Sequence, residues 1–217
     1  MYKLYPYMND ILLGLEFFSA LVALFYIQKL KKSYWKWFAV YLVFIFIQEF
    51  FWKFNSSFLS VRKQSYYAFI GIPFQYLFLY WLYAYKSLKN KKLFLILSFI
   101  YLLTFIPLEL YNKKIITLYS INLTMGSIIL IFLVVLEFIK QIKTDNILEF
   151  KENKMFYINI AIVLFYVGTY PFTAFYYELA KTPYIRIWNA YYLYFLISNC
   201  MMYLLFIASF IWGKHKS

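Results

Sequence analysis

Cysteine and histidine are almost absent from this 217-residue chain, which holds one of each, Cys200 and His215. A single cysteine excludes an intrachain disulfide framework and any zinc site built from several cysteines. Because the one histidine lies in the C-terminal tail, a buried Ser–His pair and an HExxH zinc motif are excluded as well. The chain also contains no P-loop, no GxGxxG and no GxSxG motif. We therefore expect no metal and no cofactor.

Charged residues are also scarce. They make up 14% of the chain, whereas 65% of the residues are hydrophobic and the mean hydropathy is +0.64. A soluble domain has about a quarter of its residues charged and about half apolar. The apolar excess is too large for one water-soluble core, so the composition predicts an integral membrane protein.

The apolar residues fall into seven long runs, each close to the roughly 20 residues that span a bilayer as a helix. The predicted spans are 8–28, 37–54, 67–85, 93–112, 115–139, 155–178 and 187–212. The segments between them are too short to hold a folded domain. The sequence therefore predicts an all-α, polytopic bundle of seven transmembrane helices that forms a single domain over 1–217. If one span is re-entrant, the count falls to six and the C-terminus changes sides.

Basic residues cluster in the connections between the apolar runs. The connections after the first, third and fifth spans, together with the C-terminal tail, hold fourteen of the 22 Lys and Arg residues. The positive-inside rule then places the N-terminus outside and the C-terminus in the cytoplasm, in a multi-pass protein of the inner (plasma) membrane. The net charge of +13 is thus explained by topology. We expect the chain to interact with the lipid bilayer and not with nucleic acid.

Charged side chains inside membrane spans are costly and mark candidate sites. The candidates for an outward-facing polar cavity are Glu16, Glu49, Glu109 and Glu178, with Arg186 at the entrance to the last span. Such a cavity would bind a small solute, a cation or a peptide end, and Arg186 would keep one carboxylate ionised by pairing with it. Glu109, Glu178 and Arg186 are also close enough to helix ends to be solvated, as is Glu137. Glu16 and Glu49 are deeper, and for them a ligand site and structural pairing both remain open.

Uncharged polar side chains form a second set of candidates within the spans. They are Gln48, Gln75, Asn122, Asn159, Asn189 and Asn199. Side chains of this type often hydrogen-bond across membrane helices and hold them together. The alternative is a contact with ligand, and on that interpretation Gln75, Asn189 and Asn199 join the candidate cavity.

Proline residues interrupt three of the predicted spans. Pro73, Pro107 and Pro171 each remove a hydrogen bond within a helix, which kinks it. The stretch Gly168-Thr169-Tyr170-Pro171 is the most distinctive, because glycine allows close backbone approach and threonine can satisfy a freed carbonyl. We expect Pro73, Gly168 and Pro171 to be the hinge positions.

Two segments carry a resemblance to a known group of proteins. FYVGTYPF (165–172) and NCMMYLLFIASFIWGK (199–214) resemble stretches of small seven-helix membrane proteins of Bacteroidota. This resemblance implies a detached membrane module, similar to the seven-helix sensing regions of some histidine kinases, that works with a separate kinase. It implies no active-site residues.

The sequence favours a sensor or receptor-like module that couples an outer polar cavity to a cytoplasmic or membrane partner. The alternative is a channel or transporter, including a homo-oligomeric pore-forming effector of bacterial defence. We expect no enzyme, because the only deep acid–base groups are Glu16 and Glu49. The expected partners are a signalling protein or further copies of the chain.

Overall fold

The computed structural model describes residues 5–54, 62–106, 115–144, 149–179 and 181–213. Most of these residues are helical, and none of them forms a strand. Seven long helical segments correspond in order to the predicted spans, and we number them α1 to α7. They are α1 Tyr5–Ile27, α2 Trp35–Phe54, α3 63–87, α4 Lys91–Leu103, α5 Ile115–Lys143, α6 154–174 and α7 Ile185–Ile211. Short helical turns at Phe150–Glu152, Tyr176–Leu179 and Thr182–Tyr184 lie between the later helices.

Five helical stretches among the described residues are long and apolar enough to cross a membrane. They are Tyr5–Ile27, Trp35–Phe54, Ile121–Lys143, Lys154–Phe172 and Thr182–Ile211. The predicted helical class is therefore confirmed, and the chain has the helices of a membrane protein. The fourth predicted span, 93–112, is helical as far as Leu103 and is followed by a turn at 104–106. Its remainder, with Pro107 and Glu109, lies outside the described residues.

The surface of α1 shows why such a helix belongs in a bilayer. Its buried residues are Glu16, Ser19, Ala20 and Ala23, which lie on one helical face. Its exposed large residues include Phe17, Phe18, Leu24 and Phe25. Small residues allow close contact with neighbouring membrane helices, while lipid accommodates large apolar side chains. The pattern is the reverse of a soluble helix, in which the large apolar residues are buried.

The helices form two compact units, which we describe separately. The four-helix unit contains α1, α2, α6 and α7, and the three-helix unit contains α3, α4 and α5 as far as Lys140. In the four-helix unit, α1 packs against α2 and α7, and α6 packs against α7. Phe38 of α2 is its buried centre, stacked on Phe210 with ring centroids 5.7 Å apart and meeting the edge of Phe206 at 5.2 Å.

Buried tyrosines hold the three-helix unit together. Tyr76 and Tyr80 of α3 pack against Tyr101 of α4, with ring centroids 5.7 and 5.8 Å from it. The Tyr76 hydroxyl donates to the Leu123 carbonyl at 3.1 Å, and the Tyr80 hydroxyl donates to the Gly126 carbonyl at 2.9 Å. Each tyrosine thus buries its aromatic ring while its hydroxyl donates a hydrogen bond to a main-chain carbonyl. A phenylalanine could bury the ring but could not donate this bond.

Among the described residues, three helical segments are π-helical, and each has a main-chain carbonyl that accepts a hydrogen bond from another helix. The segments are Tyr67–Gly71 and Trp81–Ser87 in α3 and Val163–Val167 in α6. The acceptors are the carbonyls of Ala68, Ser87 and Leu164, and the respective donors are Asn122, Lys140 and Tyr194. A π segment weakens the regular i→i−4 pattern, so these side chains satisfy oxygens that the helix itself leaves available.

Two of these π segments precede a proline predicted to be a hinge. Pro73 has no N–H to donate to the carbonyl four residues earlier, which lies in the Tyr67–Gly71 segment. Likewise, Pro171 has no N–H to donate to the carbonyl of Val167, the last residue of the α6 segment. Near the first of these, Asn122 is fully buried, donates to Ala68 at 3.0 Å and accepts from Thr104 at 3.0 Å.

A charged group lies buried where α3 meets α5. Glu137 is only 1% exposed and accepts a 2.7 Å hydrogen bond from the Ser87 hydroxyl. The Lys140 ammonium donates to the Ser87 carbonyl at 2.8 Å and to its hydroxyl at 2.9 Å, and lies 3.5 Å from the carboxylate. Glu137, expected to be solvated near a helix end, is thus enclosed by protein.

The turn between α3 and α4 contains a lysine in the left-handed region, Lys89, with φ of 55°. We expect Lys89→Gly to raise the free energy of unfolding by about 0.5–1 kcal/mol, because a side chain in that region is strained and glycine is not. A suitable control is Lys92→Gly, which removes the same charge from the helical part of α4 and should lower stability by about as much. Reversible unfolding in detergent micelles measures both, and equal effects of the two variants would contradict the prediction.

Candidate binding site in the four-helix unit

The π segment of α6 brings a tyrosine into the interior of the four-helix unit. Tyr166 belongs to Val163–Val167 and is buried. The segment is held from two directions, because the Tyr194 hydroxyl of α7 donates to Leu164 at 2.9 Å and the Thr169 hydroxyl donates to Phe165. Interrupted helices of this kind occur often at functional sites, since the extra residue re-aims a side chain.

Tyr166 is part of a polar cluster to which all four helices contribute. The Tyr203 hydroxyl of α7 lies within electrostatic range of the carboxylates of Glu16 and Glu49 and of the phenols of Tyr41 and Tyr166. The Cys200 thiol, one turn earlier on α7, lies within the same range of Glu16. We call this set the polar cluster; its members are Glu16, Tyr41, Glu49, Tyr166, Cys200 and Tyr203. The polar cluster thus includes Glu16 and Glu49, the two carboxylates that the sequence predicts to lie deepest in their spans.

Exposure within the polar cluster changes along its length. Glu49 lies near the C-terminal end of α2 and is partly exposed, whereas Glu16 lies midway along α1 and is only 5% exposed. Tyr41, Tyr166 and Tyr203 are buried as well. The cluster therefore has one partly exposed member near a helix end, while its other members are buried.

Two asparagines of the same unit have buried amide atoms without a hydrogen-bond partner among the described residues. Asn159 of α6 is completely buried, and neither its Oδ1 nor its Nδ2 is bonded. In α7, the Oδ1 of Asn199 is also unbonded, and Asn199 lies one helical turn before Tyr203. Buried amide groups are normally hydrogen-bonded, so each exception needs an explanation, such as a ligand or an ordered water.

The other predicted site residues are not among the members of the polar cluster. Glu178 is exposed and pairs with Lys181 at 2.6 Å in the turn after α6. Arg186 is exposed at the start of α7 and forms no ion pair with the residues that the structure describes. Asn189 accepts a 3.2 Å hydrogen bond from Tyr5, which joins α7 to α1. Gln75 lies partly exposed in α3 of the three-helix unit, and Glu109 is outside the described residues.

The polar cluster includes four residues that the sequence did not single out: Tyr41, Tyr166, Cys200 and Tyr203. The chain has 25 tyrosines, and nothing in their spacing separates these from the ones at helix ends. Among the described residues, no three His, Cys, Asp or Glu side chains are grouped as metal ligands would be. The groups that this cluster offers are carboxylates, phenols and the Cys200 thiol, with the amides of Asn159 and Asn199 in the same unit.

Comparisons with known proteins add no relative. No protein-family model, no curated protein and no solved structure matches the chain.

Proposed function

We propose that the chain is a sensor or receptor-like module of the inner membrane and that it binds its ligand at the polar cluster of the four-helix unit. The observation that carries this proposal is the burial of Glu16 with Tyr41, Tyr166 and Tyr203, which come from three helices, and the electrostatic interaction of Tyr203 with both Glu16 and the partly exposed Glu49. A carboxylate in the membrane interior is costly to retain and usually belongs to a ligand site, an ion site or a proton relay. Signal output would then pass to a separate cytoplasmic or membrane partner.

The proposed topology has seven spans, with α3 and α4 added to the five helices above. The residues of α3 are continuously helical over 63–87, which is longer than the roughly 20 residues that cross the hydrocarbon core as a helix. The lysine-rich turn with Lys86, Lys89, Lys91 and Lys92 then lies on the cytoplasmic side. In this orientation the partly exposed Glu49 faces outward, and ligand enters from outside.

Burial favours a binding site over an open conduction path. Glu16 and the three tyrosines are enclosed, and the accessible member of the cluster is the one nearest a helix end. A ligand bound in such a site can alter the packing of four helices at once, which is how a receptor without soluble domains can transmit occupancy. The π segment that carries Tyr166 provides one element able to change conformation.

A cation transporter or pore is the second candidate, favoured by the two carboxylates at different depths. Transport requires the same groups but also an alternation that opens the cluster to the other side. A pull-down of tagged full-length protein from its native membrane in mild detergent, with mass spectrometry and native sizing, distinguishes the two. A stoichiometric signalling partner is expected. A homo-oligomer without partner that conducts ions in liposomes would replace the sensor by the pore.

Glu16→Gln and Glu49→Gln are each expected to abolish complementation of a deletion strain, because the amide keeps the shape of the carboxylate but not its charge. Glu178→Gln is the matched control, since Glu178 is exposed and pairs only at the surface. Its complementation should equal that of the wild type. Membrane levels of all variants are measured by immunoblotting. Full complementation by both Glu16→Gln and Glu49→Gln at normal protein level would overturn the proposed site.

A further inference from the structure

Tyr194 of α7 has an unusual place beside the π segment of α6. Its hydroxyl donates to the Leu164 carbonyl at 2.9 Å. The side chain reaches this carbonyl across Gly168, and a Cβ built on Gly168 would overlap the Tyr194 hydroxyl. Tyr194 can therefore approach the Leu164 carbonyl only because residue 168 is glycine.

The bonds around Val163–Val167 keep the segment from closing into a regular α-helix. Pro171 has no N–H for the carbonyl of Val167, Thr169 donates to Phe165, and Tyr194 donates to Leu164. Of the two hydroxyl donors, only Tyr194 comes from another helix. It is also 38% exposed, whereas Asn122 beside the first π segment of α3 is fully buried. The Tyr194 bond therefore ties the π segment of α6 to α7.

The conformation of this segment determines where Tyr166 points. A π turn closes hydrogen bonds to i+5 and holds one residue more than an α turn. Conversion of the segment to α-helix shifts the register by one residue, about 100° around the axis. Tyr166 would then leave the face that carries it into the polar cluster, and Tyr203, one turn after Cys200 on α7, would lose a neighbour.

We propose that Tyr194 is a positioning residue that holds α6 in its π form and so keeps Tyr166 in the polar cluster. Release of its hydroxyl from Leu164 lets Tyr166 withdraw and opens the site. The proposal rests on the polar cluster being the functional site, and it deepens that assignment by naming the contact that controls the cluster.

Cys200 provides the readout, because it is the only cysteine of the chain, is 8% exposed and belongs to the polar cluster. The rate of its alkylation by N-ethylmaleimide is measured on the purified full-length chain in micelles. Tyr194→Phe, which removes only the hydroxyl, is expected to raise this rate by about fivefold, the factor that corresponds to one net hydrogen bond. Gly168→Ala, which fills the space of that hydroxyl, should raise it as well.

Tyr192→Phe is the matched control on the same helix, since Tyr192 makes ring contacts but its hydroxyl donates no hydrogen bond to the described residues. Its alkylation rate should equal that of the wild type. Unfolding of each variant is followed in parallel, so that a general loosening of the fold is recognised by a lower unfolding temperature. An unchanged rate in Tyr194→Phe, or an equal rise in Tyr192→Phe, would overturn the proposal.

The two proposals fail separately. If Tyr194→Phe exposes Cys200 while Glu16→Gln and Glu49→Gln still complement, the positioning role stands and the binding role of the cluster is lost. If the carboxylate variants lose complementation and Cys200 stays unreactive in Tyr194→Phe, the cluster functions without control by Tyr194.

Discussion

Lys140→Met is expected to lower the free energy of unfolding by about 2–3 kcal/mol, because it withdraws a cation from an enclosed carboxylate. Glu137 is almost fully buried, and the Lys140 ammonium lies 3.5 Å from one of its oxygens. The same ammonium satisfies the Ser87 carbonyl at the end of a π segment, so its loss removes a second interaction. Reversible unfolding in detergent micelles measures the change.

A double-mutant cycle shows whether the effect arises from the pair. Because Glu137→Gln removes the charge that Lys140 compensates, the double variant is expected to be less destabilised than the sum of the two single variants. Lys143→Met, at an exposed position one turn further along α5, is the control and should change stability by less than about 0.5 kcal/mol. Additive effects, or a loss in Lys143→Met as large as that in Lys140→Met, would show that the buried pair does not stabilise the fold.

Gly126→Ala should lower the free energy of unfolding by about 1–3 kcal/mol through overpacking. A methyl group at this position would overlap the ring of Tyr76. That ring cannot move aside, because its hydroxyl donates to Leu123 and lies 2.8 Å from the Ser127 hydroxyl, while its face packs against Tyr101. The Tyr76–Leu123 bond would have to break before the methyl group could be accommodated.

Gly14→Ala is the same chemical change at another position, and we expect it to have the opposite effect on stability. Nothing lies within 4 Å of a Cβ built on Gly14, which is in the middle of α1. Alanine there should raise stability by up to about 1 kcal/mol, since it favours the helix without meeting a neighbour. Thermal unfolding in one detergent compares the two variants directly. Destabilisation of equal size in both would mean that the contact with Tyr76 is not responsible.

The positions of the helices could be predicted from hydropathy because the bilayer requires long apolar runs. The runs at 8–28 and 37–54 appear as Tyr5–Ile27 and Trp35–Phe54. However, hydropathy does not distinguish an α-helix from a π-helix. The π segments of α3 and α6 therefore had no signal of their own, although two of them come shortly before Pro73 and Pro171, whose role as hinges stays a prediction.

The candidate site could be predicted only as far as its charges. Glu16 is conspicuous because a carboxylate in the middle of an apolar run is rare, and the structure places it in a buried cluster. Tyr166 and Tyr203 were not predicted, because tyrosine is compatible with the core, with lipid and with the membrane interface alike. Their role depends on which helices meet, and this is information about tertiary contacts that one sequence does not contain.

The three π segments also bear on how the length of this chain can change during evolution. Because a π turn holds one residue more than an α turn, deletion of one residue there restores an ordinary helix and leaves both flanking halves intact. Relatives of this protein should therefore differ by single-residue gaps inside α3 and α6, and not only in the connecting loops. Where the gap removes the α6 turn, the tyrosine at the position of Tyr194 should be free to vary, and the glycine at 168 with it.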